Sequence, residues 1–478
     1  MYRSTALIRK NGLKADGNIL KSLVMKNNKI RFISTTQKNS NLTTTTLLSN
    51  SNPGSSSPNL NNDNNKLSTN IEFLDTLNKQ ELFQLSCIGI ATLNKFVLNS
   101  VIKLFPYIPM KVIKGLVYQY YCGGETFNDV VETGKRLSER GIDNMMISLT
   151  IEDCNGEKNI DIDYIVDESI KSIDHILVPN LINQSKNINQ IPPGYIALKP
   201  TALVSDPKNV LKNFNHPDYE KQRNELIENC SKIIEHACNK NIELSKQFPD
   251  RKSPFIIVVI DAESFELQQN VYILQRILSE RFNKDEHEFI SVVGTIQMYL
   301  KQSYDMILKE LELASKNNYK IGLKLVRGAY LHTEPNRAQV IHDTKEDTDS
   351  NYNKGISFII NEIIKKGNNS TCSHLVVASH NDQSLVKTTN LLKKNSSLNS
   401  NNIVLGQLLG MADDIGFKLI NEMNAKNIIK YVPWGPPFET KEYLKRRLEE
   451  NGDSLTSRTD TGLGLLKGVV KTITKRLF

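Results

Sequence analysis

FIIVVIDA (255–262), FISVVGTIQMY (289–299) and KIGLKLV (320–326) are short, β-branched apolar runs separated by longer segments whose apolar residues recur at helical spacing. Runs without polar alternation describe strands buried on both faces, which means a parallel sheet covered by helices. The same alternation extends upstream through MMISLTI (145–151) and YIALKPTAL (195–203). Downstream it continues through HLVVASHN (374–381), NIVLGQLLGM (402–411) and KNIIKYVPWG (426–435). Eight strand-and-helix units predict an α/β fold of the closed (β/α)8 barrel type over residues 141–465, rather than an open doubly wound sheet. EDCNGEKNIDI (152–162) reads as exposed loop, and its Asp153, Asn155 and Gly156 miss the spacing of a calcium loop.

Outside the barrel the composition changes. Residues 1–36 carry eight Lys or Arg against Asp16 alone, interleaved with apolar residues such as Leu7, Ile8, Leu23 and Phe32. That is the pattern of a mitochondrial transit peptide; a solvated basic tail is the alternative. Residues 37–70, rich in Asn, Ser and Thr, are expected to form a disordered linker, because they have too little apolar surface to offset chain entropy. Residues 71–140 read as a helical arm. Lys95, Lys103, Lys111 and Lys114 interrupt its apolar windows, which leaves packing on the barrel or docking on a membrane surface. The last segment, 466–478, is amphipathic, with Val469, Val470, Ile473 and Leu477 among Lys467, Lys471, Lys475 and Arg476. It suits a helix packed on the barrel or one contacting lipid.

Charge and motif content exclude several classes. Residues 1–70 hold ten basic and two acidic side chains, so the rest of the 478-residue chain balances at 50 of each and has no bulk attraction for nucleic acid. Six cysteines without a CxxC pair fit a reducing compartment, three of them serving as small buried residues. Neither HExxH nor GxxxxGK(S/T) occurs, and TGLGLLKG (461–468) misses the dinucleotide-binding GxGxxG spacing. A metal site is therefore not expected.

In a barrel of this type the C-terminal strand ends converge on one face, so the polar residues there carry functional weight. They are Lys199, Asp261 with Glu263, Gln297 with Tyr299, Lys324, Tyr330 and His380. Beyond the eighth strand, YLKRRLEENGD (443–453) places Arg446, Arg447 and Glu450 within about a turn of one another on a predicted helix. The excess of cations points to an anionic substrate group and away from a glycosidase carboxylate pair. A lysine inside an apolar strand needs a partner or a shifted pKa, which singles out Lys199 and Lys324. Strand alternation puts Lys324 and Val326 on the site face and Arg327 toward the helices. Arg446 and Arg447, beside Lys441, Lys445 and Glu449, also fit an ordinary solvated face.

KLVRGAY (324–330), IDAES (260–264), ALKPTAL (197–203), ASHN (378–381), GQLLGMAD (406–413), YVPWGPP (431–437) and KRRLEENGD (445–453) closely resemble the proline dehydrogenase (proline oxidase) family. The similarity spans roughly residues 80–465 and keeps the strand order. The resemblance implies a flavin-binding barrel that holds FAD without a Rossmann domain. It implies oxidation of L-proline to 1-pyrroline-5-carboxylate, with the flavin accepting hydride from C5 and passing electrons to a membrane quinone. With no aldehyde dehydrogenase domain following residue 478, the expected form is stand-alone, in the mitochondrial matrix and peripheral to the inner membrane.

Carried over motif by motif, Arg446 and Arg447 would bind the substrate carboxylate with Lys199 as third cation, and Glu450 would be the carboxylate of the RRxxE pattern. Tyr431 and Tyr443 would pack on the proline ring, Leu408 would close the opposite wall, and Asp261 would orient polar groups. Gln297 and Lys324 would contact the isoalloxazine, with Val326, Ala329, Tyr330 and His380 lining the rest of the FAD site. Two positions depart from bacterial relatives: Lys324 where many have Arg, and Leu331 for a frequent Trp. A hydroxyproline-preferring oxidase of the same family is the near alternative. A Schiff-base aldolase using Lys199 or Lys324 is the remote one.

Overall fold

The computed structural model describes residues 71–151, 161–284, 289–331, 333–395, 400–456 and 461–477. The segments expected as transit peptide and linker, and the loop at 152–160, lie outside these residues. The chain enters through α1 (Lys79–Ala91), α2 (Lys95–Leu104) and α3 (Phe127–Glu139). Each start is set by sequence. Asn78 accepts from the Glu81 amide while Glu81 accepts from the Asn78 amide, both at 2.9 Å, and Thr126 with Asp129 repeats this capping box.

Eight parallel strands then alternate with helices. They are β1 (Asn144–Leu149), α4 (Ile162–Ser172), β2 (Gly194–Leu198), α5 (Glu220–Gln247), β3 (Ile256–Ile260), α6 (Phe265–Phe282), β4 (Val292–Gln297) and α7 (Ser303–Lys316). The second half continues with β5 (Ile321–Val326), α8 (Lys345–Lys366), β6 (Cys372–Ala378), α9 (Asp382–Lys393), β7 (Ile403–Leu408), α10 (Asp413–Asn421) and β8 (Ile428–Trp434). Two helices close the chain, α11 (Pro437–Thr456) and α12 (Thr461–Leu477). The strands form a closed barrel in sequence order, with β8 returning to β1 over six register pairs from Asn144↔Ile429 to Leu149↔Trp434. All eight runs read from the sequence are strands, several of them shorter than the run. YIALKPTAL stops at Leu198 because Pro200, with no N–H to donate, opens a 3-10 turn over Pro200–Ala202.

Two apolar layers result. One fills the space between strands and helices; the other, including Met146, Tyr195, Ile257, Val293, Val376, Val404 and Ile429, fills the barrel. Asparagines lock the strand starts to the helices. Asn241 of α5 accepts from the Phe255 and Ile256 amides, and Asn283 after α6 accepts from those of Ser291 and Val292. Cys122, Cys230 and Cys372 are buried, and the described cysteines are all free. The C-terminal amphipathic segment is the greater part of α12, which packs chiefly on the arm, in a cluster that also takes in Phe417 of α10. Val469 joins Leu82, Leu85 and Phe105 in one cluster, and Lys475 reaches Asp75 at 2.8 Å.

Inside the barrel His374 of β6 is fully buried and its Nε2 meets the Tyr195 hydroxyl at 2.8 Å. Burial lowers its pKa from 6.5 to about 3. The unfolded chain takes up this proton below pH 6.5 while the native state does not, so stability falls with falling pH between about 6.5 and about 3, by up to about 1.4 kcal/mol per pH unit. His374→Gln should flatten the pH dependence of the urea unfolding free energy across that window. An unchanged slope would reject this reading of His374.

Candidate active site

Strand parity positions the site. The inward residues of β2 are Tyr195 and Ala197, so Lys199 follows on the same face; by the same alternation Asp261 follows β3, Gln297 ends β4, and Tyr431 lies inward on β8. On β5 the register pairs Lys324 with Thr295 and Val376, and Val326 with Gln297 and Ala378. At these strand ends opens a cavity of about 330 Å3. It is lined by Lys199, Asp261, Gln297, Lys324, Val326, Ala329, Tyr330, His380, Leu408, Tyr431, Tyr443, Arg446 and Arg447. The site residues named from the sequence are thus brought together here except two: Tyr299, which is buried away from the cavity and donates to Glu334 at 2.8 Å, and Glu450, which stands on α11 with its side chain outside the described residues.

Lys324, 5% exposed, does not stand as a free cation: its Nζ pairs with Asp261 Oδ1. The other oxygen, Oδ2, accepts from the Tyr431 hydroxyl at 3.0 Å, and Lys324 Nζ lies 5.6 Å from the Tyr431 ring centre. One carboxylate therefore fixes a cation and an aromatic ring together. Burial first, then the Asp261 charge, raises the Tyr431 pKa well above 10, which keeps the hydroxyl a donor. Beside it Gln297 donates to the Glu263 carbonyl at 2.8 Å and accepts from the Ala329 amide at 3.2 Å. The adjoining Gly328, at φ +152°, is required, since a Cβ there would stand 2.0 Å from the Tyr299 ring.

His380 accepts from the Leu408 amide through Nε2 at 3.0 Å. Burial lowers its pKa to about 3, and the charges of Lys430, Arg447 and Arg327 add to the effect, so the ring is neutral with its hydrogen on Nδ1. Across the mouth, Arg446 and Arg447 differ. Arg446 is exposed, whereas Arg447 is 8% exposed, with its guanidinium carbon 4.9 Å from the Tyr443 ring centre. Arg447 is therefore not part of a solvated face.

Sequence reasoning undervalued Glu263, which is buried and accepts from Thr201 at 2.9 Å and from Tyr330 at 3.1 Å, so that it tethers the tyrosine. It missed Lys430, fully buried on the outer face of β8, bonded to Gln407 and the Met411 carbonyl and paired with Asp413. The signal was the one used for Lys324, a lysine inside an apolar strand. Arg327 does turn to the helices, pairing with Asp349 of α8, but it also lines the cavity rim.

Fold and site together define a (β/α)8 barrel protein with a small, cation-rimmed, partly apolar cavity at the strand C-termini. The chain belongs to the proline dehydrogenase family: residues 130–459 match the family model described as "Proline dehydrogenase". It is 30% identical over 392 residues to "Proline dehydrogenase 1, mitochondrial" of Dictyostelium discoideum, covering 77% of this chain and 66% of that one. It is 30% identical over 384 residues to "Probable proline dehydrogenase, mitochondrial" of Schizosaccharomyces pombe, covering 71% and 75%. Proline utilization A from Bdellovibrio bacteriovorus, inactivated by N-propargylglycine, shares the fold with TM-score 0.62 at 16% identity, over 84% of this chain and 43% of its own. The chain thus spans just under two thirds of the Dictyostelium protein and less than half of the bacterial one.

Removing one partner of the Lys324–Asp261 pair leaves a charge shielded from water. Asp261→Ala should lower unfolding stability by about 3 kcal/mol, and adding Lys324→Met should restore part of it. Urea titrations of the two variants measure this; a double variant no more stable than Asp261→Ala would show the pair to be uncoupled.

Proposed function

We propose that this protein is an FAD-dependent dehydrogenase that oxidises L-proline to 1-pyrroline-5-carboxylate and delivers the electrons to a membrane quinone. Its proposed place is the mitochondrion, peripheral to the inner membrane. The observation that carries the reading is the division of the cavity. Lys199, Arg446 and Arg447 offer cations for one carboxylate, while Leu408, Tyr431 and Tyr443 offer a wall for a small apolar ring. The mitochondrial names of the relatives support the location.

The remaining lining fits a flavin. Ala262, Gly328, Ala329, Ala378 and Gly406 leave flat space, and Gln297, Lys324 and His380 supply polar groups at its edges. FAD, when bound, supplies the acceptor for hydride leaving C5 of the ring. This chain's residues hold the substrate for that transfer. Arg447, stacked beside Tyr443, fixes the carboxylate, with Arg446 and Lys199 completing its charge. Asp261 restrains Tyr431, so the wall against the ring has one orientation. Lys324 offers a point charge and not the planar fork of an arginine.

The purified protein should show flavin absorbance that bleaches when proline is added. Arg447→Met should lower kcat/KM by about 2–4 kcal/mol in free-energy terms, mainly through KM and with flavin content near normal. The more exposed Arg446→Met should cost less. Steady-state kinetics with a dye acceptor test this, and unchanged kinetics in both variants would remove the arginines from the site.

Tyr431 also governs the choice between proline and its 4-hydroxy analogue. With its hydrogen committed to Asp261, its hydroxyl cannot donate to an extra hydroxyl on the ring and can meet it only as an acceptor. An apolar wall rejects such a group only moderately, so proline should be favoured by about 10- to 100-fold in kcat/KM. Tyr431→Ser should narrow the ratio, chiefly by harming proline turnover. Equal use of trans-4-hydroxyproline by the unaltered protein would favour the hydroxyproline-preferring reading instead.

A further inference from the structure

The arm carries a surface that neither the barrel nor the site accounts for. On α2 and the turn that follows, Phe96 is 82% exposed, Leu104 60% and Tyr107 83%; Ile90 at the end of α1 is 54% exposed. A soluble surface rarely leaves several large apolar groups uncovered on one short segment. Phe96, Lys103 and Leu104 are spaced i, i+7 and i+8, which places them on one helix face. Lys79–Ala91 and Lys95–Tyr107 meet at 109°, and no described single helix is long and apolar enough to cross a membrane. This segment is built to lie on a surface.

Charge identifies the surface. Between Glu81 and Glu125 there is no acidic residue, while Lys95, Lys103 and Lys111 are exposed. The helix packed on α1, α12, likewise has no acidic residue, and it exposes Val470 alongside Lys467 and Lys471. Apolar side chains on a segment whose own charged residues are all lysines match an anionic lipid bilayer, where the rings and aliphatic groups enter the acyl boundary and the lysines meet head groups. Lys441 of α11 donates to the carbonyls of Pro106 and Ile108 at 2.7 and 2.9 Å, so this segment is bonded to the helix that carries Arg447.

We propose that the exposed face of Lys95–Tyr107, with Phe96, Leu104 and Tyr107 as its inserting residues, docks the protein on an anionic bilayer. The proposal deepens the functional reading above, in which the acceptor is lipid-soluble. It names the surface that brings the cavity mouth to the lipid.

The test is cosedimentation of the full-length protein with phosphatidylglycerol-containing and purely zwitterionic vesicles, for wild type and a Phe96→Glu/Leu104→Glu variant. Repeating it at about 0.5 M salt screens attraction by the basic first seventy residues and leaves insertion as the measured contribution. Wild type should prefer the anionic vesicles, and the variant should bind at least about tenfold more weakly at both salt concentrations, with thermal unfolding and dye-linked proline oxidation unchanged. Equal binding by variant and wild type, or no binding by either, overturns the proposal. So does a variant that merely dissolves a self-associated species, which would make a second copy the occupant. Because vesicle binding is read separately from turnover, a protein inert toward proline that still loses lipid on substitution would overturn the enzymatic reading and leave the docking surface standing.

Discussion

Closure of the barrel is the constraint on which everything else depends. When β8 pairs with β1 through Tyr431↔Met146 and its neighbours, every strand acquires a fixed inward parity, and a slip of one residue would turn each inward side chain to the helices. Lys199, Asp261, Gln297, Lys324 and Tyr431 come from five different strands, separated by up to 232 residues, yet parity delivers all five to one cavity. The lower layers of the same interior are apolar, apart from the bonded Tyr195 and His374. That floor fixes the depth at which polar groups begin.

The barrel does not complete the cavity alone. Tyr443 and Leu444 of α11 belong to the apolar cluster of the arm, with Leu82, Leu85, Phe105, Tyr118, Tyr120 and Tyr121, and the Tyr443 ring in turn supports the Arg447 guanidinium. Gly410 shows the same dependence. At φ +73° it sits where a Cβ would meet the Tyr120 carbonyl at 2.4 Å, so a side chain in this loop would push the arm away. Arm, loop and α11 therefore form one packed assembly over the strand ends.

Much of this was legible in the sequence, for a physical reason. Parallel strands buried on both faces leave uninterrupted apolar runs, and a lysine within such a run signals a compensated charge. Lys324 was found that way, but its partner was not: the bond to Asp261 joins residues 63 positions apart and depends on barrel closure. Lys430 carried the same signal on the opposite parity, where it braces the loop before α10. The unequal burial of Arg446 and Arg447 was hidden because adjacent residues on a helix point about 100° apart, and only the packing of the arm decides which is covered. The docking of α12 was equally hidden, since an amphipathic pattern specifies an apolar face and not what covers it.

His380 has a consequence for control. Its ring is held neutral by burial and neighbouring cations, and among the described residues it is the one imidazole lining the cavity. The Tyr431 phenol likewise keeps its proton, its pKa raised well above the ordinary 10 by burial and by the Asp261 charge. Neither ring therefore gains or loses a proton in mildly acid or mildly alkaline surroundings. Whatever lies against them meets a neutral imidazole and a protonated phenol throughout, so these two groups give the cavity no acid–base switch of their own.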